Sequence, residues 1–131
     1  MSDAVKRALV AGHADYAAGM ISAVEQITGR GDVLVPIQVR DLCGADIQRV
    51  LYDAMLETGA RVIFTDLQAG SCTMAARRVL REIGDGVLVA GTNLPMLLDF
   101  VLSANTNAAE AATSAAERGR TAVSVHTGSA S

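Results

Sequence analysis

Two residues of this chain are placed to handle an anion. His13 lies in Val10-Ala11-Gly12-His13-Ala14-Asp15, and Asp66 lies in Thr65-Asp66-Leu67-Gln68-Ala69-Gly70-Ser71; each run joins an apolar stretch to a helix-like one. A histidine just before a helix can use the helix's free N–H groups and the positive end of its dipole to hold phosphate. Unperturbed imidazole titrates near about 6.5, so a histidine at neutral pH is largely uncharged and nucleophilic. A carboxylate on one ring nitrogen would orient the other. Ser71, opening the next helix, offers a hydroxyl and adjacent N–H groups. Read singly, each has a plainer role: His13 in a turn or at a cap, Asp66 as a cap or solvated turn residue, Ser71 as an N-cap.

The elements that must bring these residues together are legible in the apolar pattern. Runs rich in β-branched residues or Leu predict strands at Arg7 to Ala11, Val33 to Ile37, Arg61 to Thr65 and Gly86 to Ala90. The last two are almost wholly apolar, as in parallel strands buried on both faces. Helical patterns fill the gaps at Tyr16 to Thr28, Asp46 to Glu57 and Ser71 to Glu82, followed by Gly29, Gly59 and Gly84, where helices commonly stop. Pro95 to Ser103 forms a fourth helix capped by Asn93, and Asn107 to Arg118 an Ala-rich fifth. After Gly119, Thr121 to Val125 reads as a short edge strand, and the tail beyond it as mobile. The alternation predicts a doubly wound α/β domain with a mostly parallel sheet, helices on both faces and a C-terminal edge strand, and the strand order taken for it is 2-1-3-4. In that order the first and third strands are neighbours, so His13 and Asp66 meet at the switch point on the carboxyl edge, where such sheets bind ligands.

Composition limits the alternatives. The 131 residues are 50% hydrophobic but only 3% aromatic, which predicts one domain whose core is built from small and branched aliphatic side chains. A net charge of −3 lacks the clustered Lys and Arg of a nucleic-acid groove. No apolar stretch approaches the 18 or so residues of a membrane span, and the opening segment carries His13 and Asp15 rather than a signal peptide's apolar run. Cys43 and Cys72 lack CxxC spacing and are expected to be reduced. Phosphate-loop, dinucleotide, nucleophile-elbow and zinc-helix motifs are missing, and His126 near the end reads as a bystander. Neither a metal nor a cofactor is expected.

Three ordered segments resemble one family. Val10 to Met20 resembles the active-site segment of enzyme IIA proteins of the mannose/fructose/sorbose class, from the bacterial phosphoenolpyruvate-dependent sugar phosphotransferase system. Phe64 to Ser71 is similar to that family's Asp-x-x-Gly-Gly-Ser/Thr-Pro loop, and Ala90 to Leu98 to its Gly-x-Asn-x-Pro-Met-Leu segment. Glu117-Arg118-Gly119-Arg120 matches a late Glu-x-Gly-Arg. Ala14, Ala69 and Cys72 depart from the pattern, standing where Gly, Gly and Pro are usual.

The resemblance implies a cytoplasmic phosphocarrier. His13 would take phosphate from phospho-HPr and pass it to an enzyme IIB that phosphorylates sugar entering through a membrane permease; Asp66 would orient His13. Ser71, Gly70, Gly12 and Ala14 are the expected phosphate contacts. A homodimer is expected through the edge strand. Two other classes stay open at this point: a non-catalytic regulatory or partner-binding paralogue of the same fold, and a small-ligand protein whose His13 loop holds a free anion.

Overall fold

The computed structural model describes residues 4–128. Four strands, β1 (Ala8–Ala11), β2 (Leu34–Ile37), β3 (Val62–Thr65) and β4 (Val87–Ala90), alternate with α1 (Tyr16–Thr28), α2 (Gly44–Thr58) and α3 (Ser71–Ile83), and α4 (Leu94–Leu102) and α5 (Ala108–Thr121) follow. A short 3-10 turn, Gly31–Val33, leads into β2. All pairings are parallel, in the order β2-β1-β3-β4. Each strand starts one residue later than its apolar run, and α2 starts two residues before Asp46.

Successive strand side chains point to opposite faces, and both faces are covered. On one, Ala8, Val10, Val62, Phe64 and Val89 pack under α1, α4 and α5 through Val24, Leu97, Phe100 and Ala115. On the other, Leu9, Ala11, Ile37 and Ile63 pack under α2 and α3 through Ile47, Leu51, Met55 and Val79. Phe64 and Phe100 meet edge to face at 5.1 Å. Gly29, Gly59 and Gly84 terminate their helices in the left-handed region at φ 72°, 78° and 91°, which a residue without Cβ adopts freely.

Basic residues cluster at the amino end of the sheet, where they bind main-chain carbonyls. Arg7 and Arg30 donate to Phe100 O and Val101 O in the last turn of α4, the negative end of its dipole. Lys6 donates to Asp32 O, and Arg61 to Met55 O and Ala60 O.

The expected edge strand Thr121 to Val125 is not formed. α5 runs on through Thr121, and Val123 and Val125 follow it without strand pairing, 71% and 84% exposed. α5 passes through Gly119, which reads as a stop signal but is buried inside the helix as a packing residue. A Cβ there would lie 2.1 Å from Met96 Cγ and 2.8 Å from Asn93 Oδ1. Asn93 also donates to Gly119 O at 3.0 Å, while its Oδ1 caps α4 by accepting from Met96 N–H. Of the tail expected to be mobile, 129–131 lie outside the described residues.

Gly119→Ala should therefore destabilise the protein. Alanine gains roughly 1 kcal/mol of helix propensity over glycine, but overpacking at this distance costs about 3 kcal/mol. A net loss of about 2 kcal/mol is expected from urea unfolding; a gain in stability would show that the α4–α5 contact can yield.

Candidate active site

The sheet register delivers His13 and Asp66 to one place. Ala11, the last residue of β1, lies opposite Thr65, the last of β3, so the chains leave the carboxyl edge side by side. Asp66 Oδ2 then accepts two hydrogen bonds from His13, one from the main-chain N–H at 2.8 Å and one from ring Nδ1, also at 2.8 Å. The carboxylate is nearly buried, with 11% of its side chain exposed, whereas the imidazole is 58% exposed. Nε2 of His13 makes no hydrogen bond among the described residues.

Asp66 is held as an anion. Burial pushes its pKa up, but hydrogen bonds from the His13 N–H and ring, the electrostatic attraction of that ring and the main-chain N–H of Asp66 itself outweigh burial and hold the carboxyl below its usual range. Its other oxygen, Oδ1, is buried and has no hydrogen-bond partner among the described residues. The hydrogen bonds that other residues donate to the carboxylate both come from His13.

Gly12 makes this contact possible. A Cβ on Gly12 would fall 2.5 Å from Tyr16 Cδ2 and 2.9 Å from both Cγ and Oδ2 of Asp66, closer than atoms can pack. Ala14 adopts φ 48°, a left-handed conformation that costs a residue with a Cβ roughly 1–2 kcal/mol and that glycine would take without that cost. The turn is closed by Tyr16 N–H donating to His13 O at 2.9 Å.

The third loop is fixed from beneath. Thr65 and Thr73 share a buried hydroxyl hydrogen bond at 2.6 Å, and Thr73 also donates to Leu67 O. Gly70 sits against the imidazole, where an added Cβ would be 3.3 Å from His13 Cε1. Gly70, not Ser71, is the N-cap of α3; no side chain caps that helix, and Ser71 is its exposed first residue. The first N–H groups of α3 therefore open beside His13, together with the Ser71 hydroxyl.

Two supports of the site were not evident from residue type. Tyr16 donates its hydroxyl to Thr92 O at 2.6 Å, and Thr92 N–H donates to Thr65 O, which ties the β4–α4 loop to the other two. Burial, then the charge on Asp66, pushes the Tyr16 hydroxyl up to about 12, so it remains a donor at neutral pH. Arg40, in the β2–α2 loop, pairs with Asp15 at 2.9 Å, with both side chains exposed. A tyrosine directly after an active loop was the available signal for the first; nothing in the spacing pointed to the second.

His126 lies apart from the site, exposed beyond α5 with Nε2 3.2 Å from Ser124 Oγ. Cys72 is buried and Cys43 exposed, and both are free. Among the described residues no cluster of three or more His, Cys, Asp or Glu could hold a metal ion, and no helix is long and apolar enough to cross a membrane.

Solved structures of the same fold come from several bacteria. The mannose/sorbose-specific IIA subunit of the phosphotransferase system from Enterococcus faecalis aligns at TM-score 0.79 and 20% identity, over 95% of this chain and 96% of that one. Phosphotransferase component EIIA from Streptococcus agalactiae aligns at 0.83 and 19%, over 91% and 95%. The IIA protein associated with the fucose utilization operon of Streptococcus pneumoniae gives 0.68 and 21%, over 89% and 93%. At these identities the likeness establishes the fold. Among curated protein sequences there is no match. The profile of the mannose-type EIIA family, the PTS system fructose IIA component, matches residues 7–117, and the chain belongs to that family.

Proposed function

We propose that this chain is a cytoplasmic phosphocarrier that accepts a phosphoryl group on Nε2 of His13 from phospho-HPr and passes it to an enzyme IIB. The observation that carries the reading is the 2.8 Å contact between Nδ1 of His13 and the buried Oδ2 of Asp66. Neutral imidazole has one donor and one acceptor nitrogen, so a carboxylate on Nδ1 selects the tautomer with its lone pair on Nε2. That lone pair attacks phosphorus as the N–P bond of the donor's phosphohistidine breaks, and the donor imidazole leaves with the electron pair. The ring gains positive charge, which Asp66 offsets, while the α3 N–H groups and Ser71 meet the phosphoryl oxygens. Onward transfer to IIB reverses these roles, and sugar is phosphorylated at the membrane permease without this chain entering the bilayer. Leu67 and Met74, 53% and 45% exposed beside the loop, supply apolar surface for a protein donor or acceptor.

The chain labelled with phosphate from phosphoenolpyruvate, enzyme I and HPr should lose that label to a cognate IIB. Label that transfers to no IIB from the same bacterium would count against a carrier.

The reading includes a homodimer. β4 is an outer strand, and the exposed valines beyond α5 alternate as a strand would; a second copy can satisfy both. Sedimentation should give twice the chain mass at micromolar concentration and the monomer mass after removal of 122–131. An unchanged mass after that truncation would contradict tail-mediated assembly.

A further inference from the structure

We propose that Arg40 is a ligand of the phosphoryl group on His13, kept at the mouth of the site by Asp15 until phosphate arrives. The inference rests on the phosphocarrier reading and adds to it a charge exchange specific to this chain.

The site as described is short of positive charge. Asp66 is an anion in contact with the His13 ring, and Asp15 belongs to the same turn, which the Tyr16 N–H to His13 O bond closes. A phosphoryl group adds a further charge of about −1.5 to −2 at that point. The α3 N–H groups carry only partial charge, and Lys6, Arg7, Arg30 and Arg61 are bound to carbonyls at the opposite end of the sheet. Arg40 is the cation that an ion pair ties to the His13 turn, through Nη2 to Asp15 Oδ1 at 2.9 Å.

The same geometry makes the exchange easy. Asp15 lies two residues after His13 inside the turn closed by Tyr16, so a guanidinium docked on Asp15 stands on the rim of the His13 loop. Both partners are largely exposed, at 59% and 85%, and a pair of that kind adds little stability. A phosphoryl group has more charge than one carboxylate and three acceptor oxygens, which match the planar fork of arginine. On phosphorylation, Arg40 leaves Asp15 and binds the phosphoryl oxygens.

The test uses phosphoramidate, a small donor with no docking surface. Nε2 of His13 attacks phosphorus, the P–N bond of the N-protonated donor breaks, and ammonia leaves with that electron pair, its nitrogen already carrying all three protons. At low ionic strength, Arg40→Gln should phosphorylate about 5-fold more slowly than wild type and Asp15→Asn about 2-fold faster, with Arg40→Lys, which keeps the charge but not the planar fork, recovering only part of the rate. A purely structural ion pair predicts the same effect from Arg40→Gln and Asp15→Asn, because each breaks it. In the phosphorylated proteins, a 31P titration should place the phosphoryl pKa about half a unit higher in Arg40→Gln than in wild type. Equal rates or like-signed changes in the two variants, with an unmoved phosphoryl pKa, would overturn the proposal while leaving His13 as the acceptor. Wild type that takes no label on His13, from phosphoramidate or from phospho-HPr, would overturn both.

Discussion

Asp66→Asn will fold as the native chain does yet accept phosphate on the order of 10²–10³-fold more slowly, the usual loss when one preorganised electrostatic partner is removed. An amide can still accept from the His13 N–H, so the loop need not open. It lacks the charge that offsets the developing imidazolium, and it can present either its oxygen or its NH₂ to Nδ1. In the second orientation the NH₂ also faces the His13 main-chain N–H, so that bond is lost, Nδ1 becomes the acceptor and Nε2 carries the proton, and the attacking lone pair is gone. Folding should be largely kept, because the amide oxygen retains the bond from the His13 N–H. The measurement pairs urea unfolding with the rate of label uptake from phospho-HPr. If Asp66 were only a turn residue, asparagine would serve equally and the rate would match wild type.

Gly12→Ala attacks the same contact from below, and its effect should reach both stability and transfer. The new methyl must occupy space held by the Tyr16 ring and the Asp66 carboxylate, both within 2.9 Å of its position. If Tyr16 moves, its hydrogen bond to Thr92 O is lost and the β4–α4 loop loosens. If Asp66 moves, the His13 ring loses its orienting partner. Overpacking of this kind costs about 1–3 kcal/mol, and a misplacement of the reacting group by about 1 Å costs on the order of 10²-fold in rate. The expected result is a lower unfolding midpoint and a transfer rate near that of Asp66→Asn. Wild-type transfer in a folded Gly12→Ala would show that the tight packing under His13 is not needed for the chemistry.

Most of the fold could be read from local chemistry. The four apolar runs and the glycines after α1, α2 and α3 report on neighbours only a few residues away, and the parallel α/β class follows from the alternation of elements, whereas the order β2-β1-β3-β4 is fixed by packing between strands far apart in the chain. His13 and Asp66 were legible because both close strands that the topology makes adjacent. Features set by distant packing were not. Gly119 has the composition of a helix stop, and only the approach of Met96 and Asn93 shows why α5 passes through it to Thr121. Gly70 displaced Ser71 as the cap because the loop has to lie flat against the imidazole. The Thr65–Thr73 and Tyr16–Thr92 hydrogen bonds join loops far apart in sequence, with no local pattern to announce them.

Whether His13 carries the phosphoryl group can be read by incubating the chain with phosphoenolpyruvate, enzyme I and HPr and locating the phosphate by peptide mapping and by NMR of the ring nitrogens. The expected result is one acid-labile phosphoryl group, on Nε2 of His13, lost in His13→Ala and unchanged in His126→Ala. Label that persists in His13→Ala, or that resides on His126, would contradict it.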